Sequence, residues 1–99
     1  MKLIEFESIL AKRLSQIAVV LGGKAKEYAQ DGDRLYNFKV AARMNDETPA
    51  KALWGMATKH LVSVTDLIDG KLERTPEMVD EKIGDMINYL ILLEAILKE

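Results

Sequence analysis

Ninety-nine residues without a cysteine describe one small domain, residues 1–99, and exclude disulfides, thiolate catalysis and cysteine-ligated zinc. A formal charge of -2 gives no electrostatic case for a nucleic-acid polymer as partner. Hydrophobic residues make up 48% of the chain, more than a disordered segment carries, and Gly and Pro fall between periodic segments, so an all-α protein is expected.

The opening Met1-Lys2-Leu3-Ile4-Glu5-Phe6-Glu7 places acids where a signal peptide needs an apolar core. A first helix is expected from residue 4 to about 28, with Phe6, Ile9, Leu10, Arg13, Ile17 and Leu21 at helical spacing. Gly22-Gly23 weakens it, since glycine costs about 1 kcal/mol against alanine in a helix. A loop at 29–33 follows. Asp33 is then the expected N-cap of a short helix from 34 to about 44, ended by the turn Asn45-Asp46-Glu47.

Two further helix starts share one signature. Thr48-Pro49 and Thr75-Pro76 each set a capping hydroxyl before a proline at the first helical position, where the missing N–H is harmless. The first opens a helix over 49–68, closed by Asp69-Gly70. The second opens a rod over 76–98, roughly 35 Å long at ~1.5 Å per residue. Short connections between three long helices and one short one predict an antiparallel bundle. The longest apolar run, 86–97, is broken by Asn88 and Glu94 and is too short to span a bilayer, so a soluble cytoplasmic protein is expected. Its apolar faces exceed what one small bundle covers, which predicts a homo-oligomer, dimer or tetramer.

The last helix carries the most suggestive chemistry. Glu77, Glu81, Asp85 and Asn88 fall within an arc of about 80°, opposite Val79, Ile83, Met86, Leu90, Leu93 and Leu97. Oxygen ligands at i, i+4 and i+7 suit Mg²⁺ or Mn²⁺, which prefer carboxylates together with substrate phosphates. The plain alternative is a solvated helix start whose acids favour the positive end of the helix dipole. That alternative fits Glu77 and Asp80 better than Asp85 and Asn88, which lie beyond the first turn.

On the preceding helix, Asp66 offers a further carboxylate and Lys59 a point charge for phosphate, against the simpler reading of an exposed pair near a helix end. His60 lies inside an apolar face made with Leu53, Met56, Ala57, Leu61, Val64, Leu67 and Ile68, and reads as a core histidine. Around the short helix, Arg34 and Lys39 suit phosphates, Tyr36 or Phe38 suits stacking on a base, and Asn37 joins them as an amide. Simple packing onto the bundle is the rival role for both aromatics.

Four motifs carry a resemblance. They are Glu-Tyr-Ala at 27–29, Asp-Arg-Leu-Tyr-Asn-Phe-Lys at 33–39, Lys-His-Leu-Val-Ser at 59–63 and Glu-Lys-Ile-Gly-Asp-Met-Ile-Asn-Tyr-Leu at 81–90. Through them nearly the whole chain resembles small helical proteins of bacterial phages and prophages. More distantly it is similar to the all-α nucleoside-triphosphate pyrophosphohydrolase superfamily, which includes MazG and the dimeric dUTPases. That similarity implies a MazG-like oligomeric bundle that binds Mg²⁺ through acids on two successive helices and splits a nucleoside triphosphate into monophosphate and pyrophosphate. It implies Glu81, Asp85 and Asp66 as metal ligands, with Glu81 and Asp85 catalytic. On the chemistry of their side chains, Lys59, Arg34, Asn88, Asn37 and Tyr36 are the expected substrate-binding residues. The second superfamily motif, Glu-x-x-Asp with an Asn one turn on, is met by Asp85 and Asn88, but Glu81 stands four residues before Asp85 instead of three. The first motif, Glu-x-x-Glu, is replaced by Lys59, Ser63 and Asp66. A non-catalytic helical module that binds a nucleotide or a protein partner is the alternative.

Overall fold

The computed structural model describes residues 1–23 and 32–99. The expected continuation of the first helix over 24–28 and the loop residues 29–31 lie outside them. Four helices run through the described residues: α1 (Leu3–Gly23), α2 (Tyr36–Met44), α3 (Pro49–Ile68) and α4 (Pro76–Lys98). Among these, no helix is long and apolar enough to cross a membrane.

The two Thr-Pro starts form as the residues dictate. Thr48 Oγ1 accepts from the Lys51 N–H at 3.2 Å and Thr75 Oγ1 from the Met78 N–H at 3.1 Å, each supplying a partner for an otherwise orphaned helix donor. At the far end of α3, Gly70 takes φ +75° while the Lys71 N–H donates to the Asp66 carbonyl at 2.8 Å, a left-handed stop that glycine tolerates best. The same pattern ends α2, with Asp46 at φ +51° and the Glu47 N–H donating to the Ala42 carbonyl at 2.9 Å.

Asp33 departs from its expected role. The helix begins two residues later, behind Leu35, and no side chain caps it. Asp33 Oδ1 instead accepts from the Leu35 N–H at 2.9 Å, and its Oδ2 pairs with Lys39 at 2.7 Å. A carboxylate bonded to the backbone two residues on closes a turn, and that turn competes with helix start at Arg34.

The core joins α2, α3 and the second half of α4. Leu35, Phe38, Leu53 and Ala57 are buried, with Met86, Tyr89, Leu92, Leu93 and Ile96 packed against them. Leu53 is fully enclosed, so Leu53→Ala would cost about 2–5 kcal/mol through lost transfer energy and the cavity left behind. The apolar face read for α3 is narrower in space, since Leu61 is 40% and Ile68 68% exposed.

The helix directions refine the expected antiparallel bundle. α3 and α4 are antiparallel: Val64 and Leu67 meet Val79 and Ile83, while Leu53 and Ala57 meet Leu92 and Leu93. α1, however, runs parallel to α4, with Lys12 and Arg13 beside Asp80 and Leu21 beside Ile91 and Leu92. A short connection constrains only consecutive helices, and α1 and α4 are not consecutive. α1 buries no residue at all. The chain is accordingly drawn out, 46 × 28 × 21 Å with a radius of gyration of 15.4 Å, against about 13 Å for a compact domain of this length.

Candidate functional site in the α1/α4 cleft

The parallel run of α1 along α4 leaves a cleft of about 210 Å³ between them, lined by Arg13, Gln16, Ile17, Val20, Asp80, Glu81, Gly84, Asp85 and Asn88. The α4 wall follows from spacing: residues at i, i+4 and i+7 share one helical face. The α1 wall is positioned by charge. Lys12 Nζ lies 3.0 Å from Asp80 Oδ2, and Arg13 Nη2 donates to the Asp80 carbonyl at 3.1 Å while standing 3.7 Å from its Oδ1. Gly84 makes this possible, because a Cβ there would come within 2.5 Å of the guanidinium.

The remaining acids are held differently. Asp85 Oδ2 lies 3.4 Å from His60 Nδ1 on α3, and the His60 ring tilts against Tyr89 with centroids 4.9 Å apart. Asp85 thus stands between the cleft and a half-buried imidazole. Glu81 is the most open of the three acids, near Lys82 Nζ at 3.4 Å. Among the described residues, the buried acceptors Asn88 Oδ1 and Gln16 Oε1 have no hydrogen-bond partner. Such orphaned acceptors are costly unless something donates to them or binds them.

Of the residues singled out from sequence, Glu81, Asp85 and Asn88 share this cleft, whereas Asp66, Lys59, Arg34, Tyr36 and Asn37 are not among those lining it. Asp66 sits near the end of α3, where its carbonyl accepts from Lys71 and Leu72. Lys59 is exposed on α3, and Asn37 is exposed at the start of α2 beside the half-buried Tyr36. Arg34 lines a second, mostly apolar hollow farther along the α1/α4 groove, with Leu21, Leu92, Ala95 and Lys98. Sequence reasoning missed Arg13, Gln16, Gly84 and the His60–Asp85 pair. Arg13 carried a signal, a cation interrupting the apolar row of the first helix. Gly84 carried another, a glycine inside a helix with no turn to serve. Gln16 carried none.

Among the described residues, no three His, Cys, Asp or Glu side chains are grouped to hold a metal ion by themselves. A divalent ion with phosphate ligands of its own commonly takes one or two carboxylates from a protein. Glu81 and Asp85 are the cleft carboxylates that could serve such an ion, and Asn88 is the amide on the same wall. Compared with protein-family models, curated proteins and solved structures, the chain matches none.

Proposed function

We propose that this chain is a nucleotide-handling helical protein, of the nucleoside-triphosphate pyrophosphohydrolase type, acting in the cytoplasm of a bacterium that carries the phage. The observation that supports it is the meeting of Glu81, Asp85 and Asn88 on one cleft wall opposite Arg13, with the Asn88 acceptor buried and without a partner among the described residues. A divalent ion bound there would offset phosphate charge and polarise the phosphoanhydride. Glu81 and Asp85 would hold the ion, and the Asn88 amide would orient a ligand oxygen or a water. Arg13 supplies a fixed cation to phosphate oxygens, while His60 steadies the Asp85 carboxylate through their 3.4 Å contact. The test is pyrophosphate release across a panel of nucleoside triphosphates with Mg²⁺ or Mn²⁺. Turnover no higher than that of an Asp85→Ala control would withdraw the enzymatic reading.

A second reading, a non-catalytic module, is favoured by a different observation. Asp80 and Glu81 each already have a lysine ammonium within 4 Å, and Asp85 has an imidazole, so part of the acids' repulsion is offset without an ion. Calorimetric titration with Mg²⁺ and a non-hydrolysable nucleotide separates the two readings. Binding that Asp85→Asn removes supports the first, and heat that ignores Asp85 or is absent supports the second.

A further inference from the structure

α1 is joined to the chain in a different way from the other helices. The core of Leu35, Phe38, Leu53 and Ala57, with the α3 and α4 residues packed on it, contains no residue of α1. None of the 21 residues of α1 is buried, whereas Leu53 of α3 is fully enclosed.

The polar contacts that hold α1 down gather on one residue. Lys12 and Arg13 both reach Asp80, yet the Lys12 side chain is 63% and the Asp80 side chain 38% exposed. Ion pairs this open contribute little, and salt screens them. The surfaces between the helices are also poorly matched. Gln16 Oε1 on α1 and Asn88 Oδ1 on α4 are buried with no partner among the described residues. Water satisfies both once α1 lifts, so their burial weighs against docking. Val20, on the same face of α1, is still 38% exposed.

We propose that α1 is a lid: it lifts from α4 while α2, α3 and α4 stay folded together, and the cleft exists only while it is down. Arg13, Gln16, Ile17 and Val20 leave with it, and the wall of Glu81, Asp85 and Asn88 then opens to solvent. A ligand enters by that opening, and one that touches both walls holds the lid shut. A lifted α1 frays, because a single helix without packing partners is marginal in water. Its amides therefore report the opening. The proposal holds whatever the cleft binds.

Hydrogen exchange of the chain, read in peptides from each helix at several sub-denaturing urea concentrations, tests it. α1 amides are expected to be protected at least ~100-fold less than those of α3 around Leu53 and Ala57. Their exchange should also rise with urea at less than about half the slope, since lifting exposes far less surface than global unfolding. Two substitutions should move the α1 rate in opposite directions. Asp80→Asn leaves the carbonyl that Arg13 uses but removes the carboxylate, and should speed α1 exchange about fivefold. Gln16→Leu removes one unpartnered acceptor and should slow it by a comparable factor. Equal protection and equal urea slope in α1 and α3 would overturn the proposal, since α1 would then open only with the whole fold. An α1 rate indifferent to both substitutions would overturn it too, because α1 would then not be docked at all.

Discussion

Arg13 and Gly84 meet across the α1/α4 cleft with no room between them: a Cβ built on Gly84 would lie 2.5 Å from Arg13 Nη1. The approach lets an α1 cation lie across α4 and reach the Asp80 carbonyl at 3.1 Å. It also accounts for a glycine in the interior of a 23-residue helix, where that residue is otherwise unfavourable.

A double-mutant cycle reads this contact directly. Gly84→Ala alone is expected to displace the guanidinium and bring little or no net stability. In an Arg13→Ala background the same change should stabilise by about 1 kcal/mol, the ordinary gain of alanine over glycine in a helix. Urea denaturation of the four proteins measures the coupling. Equal effects of Gly84→Ala in both backgrounds would show that Arg13 is not what the glycine accommodates.

The Asp33–Lys39–Glu99 network ties the start of α2 to the chain end, with Lys39 Nζ 2.7 Å from Asp33 and 2.5 Å from Glu99. Hydrogen bonds from Lys39 and then from the Leu35 N–H hold the Asp33 carboxyl below its ordinary 3.8, while Asp33 and Glu99 raise Lys39 above 10.5. Asp33 therefore adds stability that is fully present above about pH 4 and is lost as pH falls through its depressed value. Lys39 adds stability present below its ordinary value and lost as pH rises through the raised one. Thermal melts of wild type and Asp33→Asn should differ near neutral pH and converge in acid. A gap that persists unchanged at pH 2 would contradict this.

Asp46 is the one non-glycine residue at positive φ among those described, and it closes α2 in the conformation that Gly70 adopts at the end of α3. Asp46→Gly is expected to stabilise the protein by about 0.5–1 kcal/mol, because the left-handed region is strained for a residue with a Cβ. Gly70→Ala should destabilise by a comparable amount for the converse reason. Shifts in the urea midpoint at constant slope would measure both, and a destabilising Asp46→Gly would point to a side-chain role for Asp46.

Arg74 closes the other end of the α3–α4 connection. Its Nε donates to the Leu67 carbonyl, which also accepts from the Gly70 N–H, and its Nη2 to the Ile68 carbonyl, each at 2.8 Å, which puts a cation on the last carbonyls of the helix where its dipole is negative. Arg74→Ala should cost about 1–2 kcal/mol, discounted for partial solvent exposure. Lysine should recover less than half of it, since an ammonium cannot donate in a fork to two successive carbonyls. Full recovery by Arg74→Lys would leave only the charge as the cause.

What local chemistry governs was readable in the chain. The Thr-Pro starts, the Asp69-Gly70 stop and the extents of α3 and α4 depend on residues within a turn of one another, and they form where the spacing places them. So does the shared face of Glu81, Asp85 and Asn88. Asp33 is the local exception, because two short-range hydrogen-bonding options, a turn and a cap, compete for one carboxylate.

Which faces meet is a matter of packing between distant segments. The helices, their ends and the polar stripe of α4 follow from 3.6-residue periodicity and capping, which act within one segment. Neither determines that α1 runs parallel to α4, that Arg13 crosses Gly84, or that His60 supports Asp85. Each of those pairs joins residues on different helices, and helical periodicity says which side of a rod is apolar without saying which rod lies against it.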